Sequence, residues 1–363
     1  MPFQVLLHLS GVHGVEGYAG SAIQSAALNL LQAPNAPRLT PTIVFVHAVN
    51  PYGMAANRRV NEDNVDLNRN FLTNDEFAAV RARDANYARY VDVDPVINPV
   101  SQISPFAAVN DAYNVLKTAV AVLRFGLVTL KRAMVSGNYH KKSGLGFGGF
   151  RRAASTNHLI ELVQERLNIT GSADISSVVL LDVHTGLGPP AVDTRIASST
   201  AHASADKVHE VMRKAFPGGR HEVDNRFGGE KVAGTSAAGG SNNTNNDDVG
   251  AGYELTVGLS TKGFCRNFLC PPHLVADGGG PDRLLCVTQE FGTVDPVVVG
   301  RHLVAENYAF HHGTPAERVL YARRLRDAFY LSSNAVWKER VVSSGLTLLF
   351  QAVAYLDSVS HTE

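Results

Sequence analysis

An α/β fold, with a mixed and mostly parallel sheet flanked by helices, is what this sequence predicts, and three observations predict it. Apolar, β-branched runs of strand length occur at Val5 to Leu9, Ile43 to Val49, Val178 to Val183 and Leu284 to Val287. They lie far apart, with helix-patterned segments between them, as in chains that alternate strand and helix. Within each run hydrophobicity is nearly continuous rather than alternating, which fits strands covered by helices on both faces. The 363 residues are 45% hydrophobic, enough for one large core or two smaller ones.

The helical segments follow from apolar residues recurring at three and four: Ala19 to Leu31, Asp75 to Tyr90, Asn157 to Leu167, Ala203 to Ala215 and Val297 to His311. Residues 91–152 carry prolines, a basic helix-like piece and a Gly-rich stretch at Ser143 to Gly149. They read as an insertion over the core, suited to form one wall of a pocket. Residues 228–252 are dominated by Gly, Ala, Ser and Asn, a composition that buries too little surface to offset its ordering entropy, and a mobile loop is expected there. After Thr314 three further helical patterns run to about Leu356, and residues 314–357 are expected to pack on the same domain. The most apolar late stretches, Ala119 to Leu130 and Leu346 to Leu356, are respectively broken by Arg124 and too short to span a bilayer, and both read as buried helices.

Thirty-three basic residues balance 33 acidic ones, so no long-range field favours nucleic acid or an anionic membrane as a partner. The three cysteines, Cys265, Cys270 and Cys286, are odd in number and lack ribbon or framework spacing, so reduced thiols are expected. No basic start followed by an apolar run and a small-residue cleavage site is present, which makes a cytoplasmic location the expectation.

The first strand leads into His13-Gly14-Val15-Glu16-Gly17, where an imidazole and a carboxylate three residues apart can converge on one ion. Alone, such a pair is most often a surface helix pair or a core histidine. Its position after a strand, among glycines and before an amphipathic helix, is where an α/β sheet gathers its active site. Val183-His184-Thr185-Gly186 ends a buried strand in a histidine and a glycine turn. Two His and one Glu make the ligand set of a catalytic zinc, one ion with a coordination position left open.

Asn50-Pro51-Tyr52-Gly53, followed by Arg58-Arg59-Val60-Asn61-Glu62-Asp63-Asn64-Val65-Asp66-Leu67-Asn68-Arg69-Asn70-Phe71, closely resembles the substrate-binding signature of zinc carboxypeptidases. With the H-x-x-E pair upstream, His184 downstream and Gln289-Glu290-Phe291-Gly292-Thr293 later still, four motifs stand in the order of that superfamily. The chain is similar to a branch of it defined as a domain of unknown function, related to the succinylglutamate desuccinylase and aspartoacylase enzymes, and the likeness runs from Leu6 to about Trp337.

That resemblance implies a zinc-carboxypeptidase-like (phosphorylase/hydrolase-like) fold in a single catalytic domain over residues 1–363. It makes Arg59 the arginine that polarises the scissile carbonyl, with Arg58 as its fallback, and Asn68 and Arg69 the pair that binds a substrate carboxylate. A guanidinium suits that role because it makes two parallel charge-assisted bonds and stays protonated. Asp66 would accept a hydrogen bond from the first zinc histidine. Asp182 could serve His184 in the same way, since residues two apart in a strand share a face. Glu290 matches the catalytic glutamate that moves a proton from water to the leaving amine. Family members carry strands before the one that delivers the H-x-x-E pair, so a fold lacking its first strands, with one open sheet edge, is expected. Tyr253 lies too far from Glu290 to match the family's mobile tyrosine and is not assigned.

The activity so implied is hydrolysis of an amide bond in a small molecule or peptide bearing a carboxylate, by a carboxypeptidase-like peptidase or by an N-acyl amino acid deacylase. The alternative is a catalytically silent zinc- or ligand-binding relative. A metal-free structural protein is the third reading, and the remaining histidines, among them His8, His47, His209 and His311, show no comparable convergence of motifs.

Overall fold

The computed structural model describes residues 3–36, 38–104, 106–198, 205–224, 256–270 and 283–360. Among them six strands form one sheet: β1 (Phe3–Ser10), β2 (Thr42–Val46), β3 (Ile175–Pro190), β4 (Asp193–Ser198), β5 (Arg220–Asp224) and β6 (Leu284–Gly292), in the order β2-β1-β3-β6-β4-β5. The first four in that order are mutually parallel, while β4 runs antiparallel to β6 and parallel to β5. The sheet is mixed and mostly parallel, as expected.

Continuous hydrophobicity in β1, β3 and β6 has the cause inferred for it. Val5, Leu7, Leu9, Val178 and Leu180 face one core with Phe71, Val163 and Phe264. Their neighbours Leu6, Val179 and Leu181 face a second core with Met212, Phe216, Leu348 and Leu356. Each of these leucines is fully buried, and full burial of such a side chain contributes about 1.5–3 kcal/mol. The strands β4 and β5 went unrecognised because Asp-Thr-Arg-Ile-Ala-Ser and Arg-His-Glu-Val-Asp carry little apolar signal. Partners across the sheet, not their own hydrophobicity, hold them.

The helices are α1 (Gly17–Leu31), α2 (Pro51–Ala56), α3 (Asn74–Ala82), α4 (Tyr90–Ile97), α5 (Ala107–Phe125), α6 (Leu127–Val135), α7 (Ala154–Glu161), α8 (Ala205–Ala215), α9 (Pro296–His312), α10 (Pro315–Phe329) and α11 (Ala335–Ser360). The helix expected over Asp75 to Tyr90 stops at Ala82. Local bonds from Asn86 N to Asp84 and from Asp92 N to Asn86 compete with helix, and Ala88 and Arg89 take positive φ before α4 begins. Among the described residues two helices, not three, follow Thr314. The long α11 runs unbroken through Gly345, where a Cβ would lie 2.3 Å from Ile23 Cδ1 and close passage past α1 would be lost. By length and composition α11 could cross a membrane, yet Leu348, Leu349, Ala352 and Leu356 pack on the sheet.

Helices α4, α5 and α6, in the stretch expected to be an insertion, share a small core of Tyr90, Val93, Ile97, Leu130 and Ala133, against Leu303 and Val304 of α9. The stretch Ala119 to Leu130 corrects the expectation of a buried helix, because Val120 is 54% exposed and Leu123 88% exposed. Among the described residues only one side of α5 finds a neighbour. The cysteines also depart from expectation: Cys265, on a π-helical segment at Ser260–Leu269, is joined to Cys286 of β6 as a disulfide, and Cys270 is free. An odd count with no spacing signal cannot show a pair formed between a helix and a strand. The loop expected over residues 228–252 lies outside the described residues, as does Tyr253.

Candidate metal centre

The carboxyl ends of β1, β3 and β6 lie side by side, with Ser10 opposite Val183 and His184 opposite Glu290. After β1 the chain turns through His13 into a 310 turn at Gly14–Glu16 and then α1. A Cβ on Gly14 would fall 2.1 Å from the Gly53 carbonyl carbon, so only glycine allows this turn to lie against α2. Helix α2 is set locally: the Asn50 side chain accepts from Gly53 N at 2.9 Å, Pro51 opens it, and left-handed Asn57 ends it. The next two carbonyls, of Arg58 and Arg59, then accept from Val15 N at 2.8 Å and Gly14 N at 3.1 Å. Distant stretches of chain are thereby pinned together at the strand ends.

His13, Glu16 and His184 converge, all buried. His13 Nδ1 lies 2.9 Å from Glu16 Oε1, His184 Nδ1 lies 3.0 Å from Glu16 Oε2, and the two Nδ1 atoms are 3.1 Å apart. The opposite ring nitrogens meet carboxylates: His13 Nε2 is 3.2 Å from Asp66 Oδ1, and His184 Nε2 is 2.7 Å from Asp182 Oδ2. With each Nε2–H donated outward, both Nδ1 atoms and the Glu16 carboxylate face one another as acceptors. Three converging lone pairs repel unless a cation or a proton lies among them. Ligand atoms about 2.0–2.2 Å from one tetrahedral ion stand about 3.3–3.6 Å apart, so the donor set fits zinc once the three groups spread by a few tenths of an ångström.

Arg59 closes the centre from the loop, donating from Nη1 to Glu16 Oε1 at 3.0 Å and from Nε to Asp66 Oδ2 at 3.1 Å. Burial alone would raise the Asp66 carboxyl, but Arg59, His13 and Arg69 hold it well below the usual carboxylate range. Burial opposes ionisation of Glu16 too, and His13 and His184 hold it ionised. Glu290 differs. It is buried beside Glu16, with Leu187 N donating to its Oε1 at 2.9 Å, and its pKa is pushed up to about 8 by burial and then by the Glu16 charge.

The remaining expected residues divide. Asn68 borders the cavity, with its Oδ1 accepting from Ser260 N at 2.8 Å. Arg69 also borders it but donates to the carbonyls of Val135 and Asn68, both at 2.6 Å. Arg58 is not brought to the centre. It points toward α9, ion-paired to buried Glu306 at 2.6 Å and stacked 3.3 Å over the Phe310 ring.

The asparagines of the Arg58 to Phe71 stretch fasten the loop. Asn61 accepts from Val65 N, Asn64 donates to the Lys142 carbonyl, and Asn70 donates to the carbonyls of Gly148 and Arg151. Sequence reasoning missed Ser260, whose hydroxyl donates to Asp182 Oδ2. A lone serine after a segment of low complexity carries no signal, and the contact exists only once the π-helical segment lies on β3.

Fold and centre together define an α/β protein in which two histidines and a glutamate, buried at the strand ends, form a cluster that could hold a metal ion. The chain belongs to the DUF2817 family, described as a protein of unknown function, whose sequence profile matches residues 3–248 and 269–344. No curated protein matches it. Among solved structures it is similar to a metallo-carboxypeptidase from Burkholderia cenocepacia at 14% identity and a TM-score of 0.37, over 98% of this chain and 58% of that one. It is also similar to the murein-tripeptide amidase MpaA from Escherichia coli O157, at 17% identity and a TM-score of 0.28, over 87% of this chain and 81% of that one.

Proposed function

We propose that this chain is a zinc-dependent hydrolase that cleaves an amide bond in a small, carboxylate-bearing substrate. One observation carries the proposal: His13 and His184 turn Nδ1 toward Glu16 while each Nε2 rests on its own carboxylate. Carboxylates behind metal-binding histidines fix the tautomer and raise ligand basicity, whereas a satisfied core histidine needs no third acceptor in front of it. A divalent ion held by these three residues supplies Lewis acidity toward a substrate or water oxygen.

The other residues then have definable tasks. Glu290, buried beside Glu16 at the mouth of the centre, takes a proton from the attacking water as a carboxylate and returns it to the leaving nitrogen. The Arg59 guanidinium, 17% exposed, stands between Glu16 and Asp66, with charge to offer a developing oxyanion. Asn68 and Arg69, on the cavity wall, lie where a substrate carboxylate would be recognised. A merely structural metal site needs neither the glutamate nor the arginine.

The test is metal content. Protein purified without chelator should hold about one zinc ion per chain, as a three-residue site with one open position requires. A His13→Ala, His184→Ala double variant should hold almost none. Metal-free, well-folded protein that takes up no added zinc would refute the proposal.

A further inference from the structure

The cavity around the centre exceeds what the centre needs. Its volume is about 1070 Å³, at the upper end of the roughly 300–1,000 Å³ found for small-molecule sites. One end contains His13, Glu16, Arg59, His184 and Glu290. From there the space continues along a seam between the insertion and α9. Its walls include Val96, Ile97, Val122, Leu130, Met134 and Leu303. Apolar Leu127 and Val128, 48% and 52% exposed at the start of α6, form its outer lip.

Charged side chains also border this space, Arg301 and Lys131 among them, and several are engaged. Asp111 pairs with Arg324 at 2.8 Å, Glu306 with Arg58, and the Lys117 amine donates to the Pro95 carbonyl at 2.8 Å. Gly300 of α9 widens the seam. A glycine inside a helix is unfavourable for the backbone, and here a Cβ would meet nothing nearer than Met134 Cε at 3.5 Å. A side chain would fit at this position without strain, and it would occupy the seam. The walls are predominantly apolar, and such walls hold water poorly. They suit a flexible aliphatic chain.

Resting on the hydrolase reading, we infer that the substrate is an amide whose acyl group is a long aliphatic chain, seated along the seam with its carbonyl at the centre. Water adds its oxygen to the acyl carbon and the C–N bond breaks. The proton goes to the leaving nitrogen through Glu290, and the products are a long-chain carboxylate and a free amine. Each methylene taken out of water should tighten binding by about fourfold.

Two measurements on the zinc-loaded full chain test this. The first is displacement of a fluorescent fatty acid by laurate and by hexanoate, which needs no turnover. The second is hydrolysis of N-acetyl-, N-hexanoyl- and N-lauroyl-alanine. Laurate should bind at least about a hundredfold more tightly than hexanoate, and kcat/KM should rise along the acyl series. Gly300→Leu should weaken laurate by more than about tenfold and leave acetate and hexanoate unchanged. Gly300→Ala, with its thermal melt, controls for folding. Laurate and hexanoate binding alike, with N-acetyl-alanine cleaved as fast as N-lauroyl-alanine, would overturn the acyl inference and leave the hydrolase reading in place. An unaltered laurate affinity in Gly300→Leu would overturn the placement in the seam. The predicted chain-length dependence with no amide cleaved would sink the hydrolase reading alone and leave the seam as an acyl-chain site.

Discussion

The strand-end centre and the inserted helices are built on opposite principles. At the centre His13, Glu16, Asp66, Asp182 and His184 are all at most 3% exposed, and each has partners supplied by a different stretch of chain. On the insertion, Leu116, Val120, Leu123 and Val128 are each more than half exposed, and the shared core is small. Such a contrast teaches a division of labour. Chemistry requires groups held within tenths of an ångström, so it sits where parallel strands over-determine position. The shape of the pocket tolerates looser packing, and helices laid over the core supply it.

The contrast breaks most visibly at Glu290. Glu290→Gln is expected to lower kcat by about 10²–10⁴-fold, the usual worth of a positioned acid–base group, with zinc content unchanged. Full activity would remove its role. Next in size, Asp182→Asn should weaken zinc binding by about 10–100-fold, read by competition with a chelator, because His184 would lose the carboxylate that orients it. An unchanged affinity would make Asp182 a structural residue only.

A smaller effect tests burial behind the centre. His8 is fully buried on β1, its Nδ1 3.1 Å from Gln24 Nε2 and its pKa lowered to about 4 by burial, partly offset by the charge of Asp182. Its folded form is neutral, so between about 6.5 and 4 the unfolded chain binds more protons and stability rises with pH. That contribution is complete above 6.5 and falls on acidification by about 1.4 kcal/mol per pH unit. Urea denaturation across this window should show the slope, and His8→Leu should flatten it. At the other extreme, Leu123→Lys, at a position 88% exposed, should shift stability by no more than about 0.5 kcal/mol. A loss of several kcal/mol would mean that the outer face of α5 is covered in the folded protein.

How much could be read beforehand follows the same line. The strand runs were legible because burial on both faces writes continuous hydrophobicity into local sequence. The H-x-x-E pair and His184 were legible because each lies where a strand ends, and Glu290 because its motif stands in the order of the superfamily the chain resembles. Strands β4 and β5 were not legible, since Asp193, Arg195 and Arg220 disguise them and their stability comes from neighbours. Arg58 looked like a substrate ligand, yet it is held by Glu306, which lies 248 positions away. No local pattern encodes such a distance. The disulfide between Cys265 and Cys286 escaped notice for the same reason.

By itself, then, the sequence determined the class of fold, the place of four strands along the chain and the residue types able to bind a metal, because periodicity and motif order are local properties of a chain. Tertiary structure alone decided that Nδ1 rather than Nε2 of each histidine faces Glu16, that Ser260 rests on Asp182, that Arg58 turns away to Glu306, and that the cavity continues along an apolar seam. These are relations between side chains brought together by packing and register, and they come into being only when the chain closes on itself.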